Sequence, residues 1–235
     1  ATLRVLVEYK TCNEKIKCVA FHTANKFLAI NAENRLFLYD AKSNSPLKSF
    51  RITEQHIVDA VMASNSLLFT AAESGEIKAF KVAFDTNSMS LDSKFDLSCK
   101  IKNLEIFHNN EKLLIVNAER NGRNEIVIIN LVSKKVMNTI VDPLQHSVEA
   151  LLTCTIVKRP PEIFLIALGN SRLSSCDIDK PKLDKEIVVD TGRALNMRKA
   201  MGNGVKMAKI LGQEPKTCTF VVVLSVGGLN LVKIF

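Results

Sequence analysis

A stretch of thirteen residues near the start of the chain recurs 86 positions later, and this internal repeat constrains the fold more than any other feature. Residues 21–33 and 107–119 are identical at seven of thirteen positions. A shorter copy, residues 67–73, lies between them, and weaker copies follow at 163–173 and 220–231. A period of roughly 40 to 50 residues indicates a repeat protein in which each unit needs its neighbours to bury a core.

The pattern inside each copy is typical of short strands. In the first copy, the apolar runs 27–30 and 36–39 are separated by a small, polar turn. Apolar runs of this length, bounded by turn signals, favour buried strands over helices. One four-stranded unit cannot bury both of its faces, whereas radial stacking of several units does so and protects their edges. The sequence therefore predicts an all-β fold, a β-propeller of about five recognisable four-stranded blades.

Two stretches, residues 27–40 and 67–81, carry a resemblance to a known family. The chain resembles a diverged WD40-like β-propeller. The positions of the family's Trp-Asp pair are occupied by Tyr39-Asp40, Phe80-Lys81, Ile129-Asn130 and Cys176-Asp177. His56 and His146 lie near the family's Gly-His position, although neither a Trp-Asp nor a Gly-His dipeptide occurs. The resemblance implies a scaffold that presents loops and blade edges to several partners.

The repeats divide a single predicted domain, residues 1–235, into blades. The predicted blades span roughly 12–52, 53–97, 98–142, 143–190 and 203–235. The last copy ends without a fourth strand, and residues 2–9 alternate apolar and polar, which makes them a candidate closing strand. Two alternatives stay open: a closed five-bladed propeller, or a fragment or open propeller that another polypeptide completes.

The segment 191–211 interrupts the repeat between the fourth and fifth blades. It contains five basic residues, no acidic residue and three of the six methionines of the chain. Its basic side chains could contact RNA phosphates, and its methionines could enter a groove on a partner protein. It lacks aromatic residues for base stacking, which favours a protein partner or contact with the RNA backbone alone. The candidate binding residues are Arg193, Met197, Arg198, Lys199, Met201, Lys206 and Lys209.

The sequence shows no pattern typical of a catalytic or metal site. His22 and His108 occupy equivalent positions of two repeats, so the repeat itself explains them. No nucleophile elbow, Walker loop or zinc-binding motif occurs. The six cysteines are isolated, which favours free thiols in a reducing compartment. The sequence therefore predicts no catalytic residue, metal, cofactor or small-molecule substrate.

A net charge of +8 and a pI near 9.2 favour an acidic partner: nucleic acid, an anionic membrane surface or an acidic protein. No apolar run is long enough to span a membrane and no glycosylation acceptor occurs, so we expect an intracellular protein without membrane insertion, in the cytoplasm or, given its charge, the nucleus. We expect a non-catalytic scaffold subunit of a multiprotein complex. The alternative is an RNA-contacting subunit of a ribonucleoprotein or ribosome-assembly complex, and a propeller enzyme is a minor alternative.

Overall fold

The computed structural model describes the chain as β-strands joined by turns. The described residues are 15–23, 26–40, 46–52, 56–107, 112–141, 150–156, 162–169, 172–177, 183–187, 205–214, 217–224 and 229–234, and after residue 141 only the backbone of the strands is described. Within these ranges the structure contains strands and no helix. The predicted all-β fold is therefore confirmed.

The strands form antiparallel sheets in which neighbours along the chain are also neighbours in space. Sheet 1 contains β1 (Ile16–Thr23), β2 (Lys26–Asn31), β3 (Arg35–Asp40) and β4 (Lys48–Arg51). Sheet 2 contains β5 (Ile57–Met62), β6 (Leu67–Ala72), β7 (Glu76–Ala83) and β8 (Ser88–Asp96). Sheet 3 contains β9 (Lys100–Ile106), β10 (Leu113–Arg120), β11 (Arg123–Asn130) and β12 (Lys135–Val141).

Two further sheets follow the same meander. Sheet 4 contains β13 (Ala150–Ile156), β14 (Glu162–Gly169), β15 (Arg172–Asp177) and β16 (Leu183–Ile187). Sheet 5 has three described strands, β17 (Val205–Glu214), β18 (Thr217–Leu224) and β19 (Leu229–Ile234). Among the described strands every sheet is open and ends in an edge strand on each side.

The chain divides into two compact units, residues 1–102 and 103–235. In the first unit β1 lies beside β5, so that the first strands of two successive sheets are adjacent. In the second unit β13 lies beside β17 and β18. Within each unit, contact between sheets therefore involves the first strand of a four-stranded meander.

Sheets 1 and 2 pack face to face through an apolar core. Leu28 and Leu36 of sheet 1 are fully buried in the same cluster as Leu68 and Phe80 of sheet 2. Successive side chains of a strand point to opposite faces, so every second residue of each strand contributes to this interface. Fully burying a leucine or phenylalanine side chain contributes about 2 kcal/mol to stability. The core is completed by Ala20, Ile30, Leu38, Ile52, Ile57, Ala60 and Val82.

A second apolar cluster lies on the opposite face of sheet 1. Tyr39 is fully buried there together with Ala29 and Phe37. The ring of Phe27 stacks on that of Tyr39 with centroids 4.9 Å apart and an angle of 7° between the planes. Sheet 1 thus buries apolar side chains on both faces.

The thirteen-residue repeat corresponds to equivalent positions in sheets 1 and 3. Leu28 and Leu114 occupy the second strand of their sheets, and both are completely buried. The same holds for Asn31 and Asn117, two buried polar residues. The Oδ1 atom of Asn31 accepts hydrogen bonds from the backbone N–H groups of Glu33 and Arg35 at 3.1 and 2.9 Å. The asparagine therefore closes the turn between β2 and β3, a role that short amide side chains perform well.

Glu76, the first residue of β7, is a buried acid held by two lysines. Its carboxylate lies 2.6 Å from Nζ of Lys94 and 3.5 Å from Nζ of Lys78, and its side chain is 8% exposed. The hydrogen bond from Lys94, together with the positive charges of both lysines, holds the pKa of Glu76 below its ordinary value despite the opposing effect of burial. The ionised carboxylate therefore stabilises the folded state.

Glu76→Gln is expected to lower the free energy of unfolding at pH 7 by about 1 kcal/mol, because a charge-assisted hydrogen bond is removed while the lysine partners remain partly solvated. Since the pKa of Glu76 is lowered by folding, its contribution is present above the unfolded-state pKa and is lost as the pH falls through the folded-state pKa. The difference between wild type and variant should accordingly shrink below about pH 4.5. Urea denaturation at a series of pH values measures it.

The matched control is Glu33→Gln, which removes the same charge from an exposed pair. Glu33 lies 3.7 Å from Arg35, and both side chains are more than half exposed. This variant should change the stability by less than about 0.5 kcal/mol at any pH. Equal effects of the two substitutions would contradict the role assigned to Glu76.

Candidate functional site

A cleft of about 630 Å³ opens at one loop edge of sheet 2, that is, at the end of the sheet where its strands begin and end in turns. In an antiparallel meander the start of the first strand, the second turn and the end of the fourth strand meet at the same edge. The residues that line the cleft come from these three places: His56 immediately before β5, Glu73 and Ser74 between β6 and β7, and Ser98, Cys99 and Lys100 after β8.

Backbone hydrogen bonds hold these three connections together. The N–H of Glu73 donates to the carbonyl oxygen of His56 at 3.1 Å, and the N–H of Ile101 donates to the carbonyl oxygen of Glu73 at 3.4 Å. The N–H of Leu97 donates to the carbonyl oxygen of Gly75 at 3.1 Å. Main-chain hydrogen bonds therefore hold the walls of the cleft in place.

The corresponding edge of sheet 1 is built in the same way. The N–H of Ala32 donates to the carbonyl oxygen of Lys15 at 2.9 Å, and the N–H of Ile52 donates to that of Asn34 at 3.3 Å. In addition, Oδ1 of Asn34 accepts a hydrogen bond from the N–H of Ile57 at 3.2 Å, which links the β2–β3 turn of sheet 1 to the first strand of sheet 2. The loop edge is thus continuous from one sheet to the next.

Gly75 allows the β6–β7 turn and the connection between β8 and β9 to approach each other closely. Its φ is +104°, a conformation that residues with a side chain rarely adopt. A Cβ atom at this position would lie 2.6 Å from the carbonyl oxygen and 2.9 Å from the nitrogen of Cys99. Both neighbouring atoms belong to the backbone, so neither clash can be relieved by rotating a side chain. Glycine is therefore required for the observed wall of the cleft.

An ion pair and a lysine–histidine contact set the charge of the cleft. Nζ of Lys100 lies 2.8 Å from the carboxylate of Glu73, and this hydrogen bond, reinforced by the lysine charge, lowers the pKa of Glu73. On the other side, Nζ of Lys17 lies 3.1 Å from Nε2 of His56. An ammonium group only donates, so Nε2 of His56 is the acceptor in this contact. The cleft thus combines Lys100, its paired carboxylate and the imidazole of His56, which Lys17 contacts.

Other chemistry in the described part of the chain is limited. Neither Cys18 nor Cys99 forms a disulfide. Burial, with a further contribution from Asp59, raises the pKa of the Cys18 thiol to about 12, which leaves it protonated and unreactive at neutral pH. Within the described ranges, no group of three or more His, Cys, Asp or Glu side chains is arranged to hold a metal ion. No helix in that part of the chain is long and apolar enough to cross a membrane.

The residues singled out from the basic segment are only partly described. Lys206 and Lys209 lie on β17, the first strand of sheet 5, and the structure describes their backbone. The other five candidates lie outside the described residues: Arg193, Met197, Arg198, Lys199 and Met201. The structure therefore leaves the binding role of the segment 191–211 as a prediction.

The histidines fall in different environments. His22 lies between the β5–β6 turn of sheet 2 and the ring of Phe84: its Nε2 is 2.9 Å from the hydroxyl of Ser66, and the two ring centroids are 5.0 Å apart. His56, which the sequence places in a loop before a strand, lines the cleft. His108 and His146 lie outside the described residues.

Sequence reasoning did not identify Glu73 and Lys100 as a functional pair. A signal was present in the sequence, because each strong copy has a glutamate at or just after the end of its second strand, at positions 33, 73 and 119. The lysine could not be assigned to it, since the two residues are separated by two complete strands.

Comparison with known proteins does not assign the chain to a family. No protein-family model matches it, and no curated protein matches it. The cleft is therefore interpreted from its own residues.

Gly75→Ala is expected to lower the free energy of unfolding by about 3 kcal/mol, because the variant combines an unfavourable φ with a clash against backbone atoms. Gly122→Ala is the matched control. Gly122 also has a positive φ, +74°, but nothing lies within 4 Å of a Cβ built there, so the expected decrease is about 1 kcal/mol. Urea denaturation of the two variants measures the difference, and equal decreases would show that Gly75 does not lie close to Cys99.

Proposed function

We propose that the chain is a WD-type β-propeller that acts as a non-catalytic scaffold subunit and binds protein partners through its loop edges. The observation that carries this proposal is the cleft at the edge of sheet 2. Three connections form it, and main-chain hydrogen bonds hold them in place. Loops positioned by a rigid framework are the usual place for binding residues.

The propeller architecture is supported by the way the sheets bury their surface. Sheet 1 has apolar clusters on both faces, and the first strands of sheets 1 and 2 lie side by side. Radially stacked blades have these two properties. We propose about five such blades, either closed by residues 2–9 or completed by another polypeptide.

The character of the cleft supports a protein partner over a small substrate. Small-molecule sites are usually enclosed, mainly apolar cavities that bury most of the ligand. This cleft is wide open to solvent. Such a surface suits an extended segment of another protein, which needs a few fixed polar interactions along its length.

A second candidate function is contact with RNA through the segment 191–211. The observation that favours it is the presence of five basic residues without an acidic one. Binding of phosphates by lysine and arginine depends strongly on salt. The two functions are compatible within one subunit, but they predict different responses to salt and ribonuclease.

The experiment is a pull-down of the tagged chain from native extract at low and high salt, with and without ribonuclease, followed by mass spectrometry. The scaffold function predicts a defined set of proteins that survives both high salt and ribonuclease. Loss of all partners upon ribonuclease treatment would favour the RNA function. Recovery of the chain alone under every condition would contradict both.

Substitutions in the basic segment separate the two functions further. If the segment binds RNA, replacing four basic residues by alanine should weaken binding at least tenfold, because every phosphate left without its basic partner reduces the affinity further. If it binds a protein groove, Met197→Asp or Met201→Asp should have the larger effect. The basic residues to be replaced together are Arg198, Lys199, Lys206 and Lys209. A control with the same change in net charge replaces the exposed Lys15, Lys48, Lys112 and Lys135.

A further inference from the structure

We infer that the cleft at the edge of sheet 2 binds an acidic segment of a partner protein, with Lys17 and Lys100 receiving its carboxylates. This inference rests on the proposed scaffold function and names the chemical class of the ligand. It requires that the cleft attract negative charge, that it accommodate a carboxylate, and that it favour a peptide over a nucleic acid. The side chains around the cleft bear on each of these requirements.

The charges of the cleft favour an anion. Lys100 lines it at the start of β9, and Lys17 of β1 contacts the ring of His56, another lining residue. The carboxylate in the lining, that of Glu73, neutralises one of these two lysines. Opposite charges at a binding surface steer a ligand toward it and fix its register. A segment rich in aspartate or glutamate therefore meets a favourable potential here.

The Glu73–Lys100 pair shows that the cleft accommodates a carboxylate. Glu73 already places a carboxylate oxygen 2.8 Å from Nζ of Lys100. Both side chains are about half exposed, at 46% and 55%, so neither is locked in the interior. Exposed pairs of this kind are weak and exchange their partners readily. Glu73 therefore acts as an internal competitor that an incoming carboxylate displaces.

The remaining lining residues suit a peptide better than a nucleic acid. Ser74 and Ser98 are exposed and carry hydroxyls that can both donate and accept, and the imidazole of His56 lies on the same surface. These groups match the amides and carboxylates of a peptide. Nucleic-acid sites favour arginine forks for phosphates and aromatic faces for bases. The described lining contains neither arginine nor phenylalanine, tyrosine or tryptophan.

The test measures binding of a fluorescent eight-residue peptide of alternating glutamate and glycine to the full chain by anisotropy. A peptide with glutamine in place of glutamate is the uncharged control. Lys17→Ala and Lys100→Ala should each raise the Kd by about two- to fivefold, the effect of one exposed ion pair. Raising the salt concentration should weaken binding of the acidic peptide and leave the control peptide unaffected.

Glu73→Gln makes the sharpest variant, because it should strengthen binding about two- to fivefold by removing the carboxylate that pairs with Lys100. Glu33→Gln removes the same charge from the equivalent turn of sheet 1 and should leave the Kd unchanged. Lys135→Ala, an exposed lysine on β12, is the corresponding control for the lysine variants. Circular dichroism melting of each variant confirms that it folds.

Three results would overturn the inference. The first is that Lys17→Ala and Lys100→Ala behave like Lys135→Ala. The second is that Glu73→Gln behaves like Glu33→Gln. The third is that a single-stranded RNA with the same number of charges binds more tightly than the peptide and depends on the same two lysines.

Failure of the inference is distinguishable from failure of the scaffold function. If the pull-down recovers salt-resistant partners equally well with Lys17→Ala/Lys100→Ala, the scaffold function stands and the inference about the cleft is wrong. If no partner is recovered while the peptide binds in a manner dependent on the two lysines, the scaffold function is wrong and the chemistry assigned to the cleft stands.

Discussion

Burial of apolar faces between sheets 1 and 2 is the interaction on which the rest of the first unit depends. A four-stranded antiparallel meander has one row of side chains on each face, and neither row can be buried by the sheet itself. Leu28 and Leu36 are shielded from water only because Leu68 and Phe80 belong to the same cluster. The interface fixes how the two sheets are placed, and with it which turns lie next to one another.

The cleft follows from that placement together with strand order. In each meander the start of the first strand, the second turn and the end of the fourth strand lie at the same loop edge. Polar residues that are distant in sequence are therefore close together there. His56 and Lys100 are separated by a whole sheet in the chain, yet they line one opening. Lys17 reaches His56 from the neighbouring sheet because β1 lies beside β5. The lysine–histidine contact therefore depends on two repeats.

The strands were predictable from sequence because the pattern of buried apolar residues follows the sequence repeat. Leu28 and Leu114 stand at the same position of the repeat and are equally buried, since the same face of each sheet needs the same apolar residue. The charged pairs of the cleft were not predictable, because they depend on the distance between separate connections. Lys206 and Lys209 belong both to the basic segment 191–211 and to the predicted fifth blade 203–235, and they lie on β17. The register of β17 against β18 shifts twice, between Val205 and Met207 and between Ile210 and Gly212, which disrupts the alternation that identifies a strand.

The loop edges are joined mainly by main-chain atoms, and this has a consequence for how such a chain evolves. A hydrogen bond between the N–H of Glu73 and the carbonyl of His56 survives almost any exchange of those two side chains. Selection on such a hydrogen-bonded connection acts on backbone conformation, as at Gly75, and on the volume of the core residues. Side chains at such a connection can then change while its backbone hydrogen bonds persist. Periodicity and turn geometry should therefore outlast the identities of the turn residues.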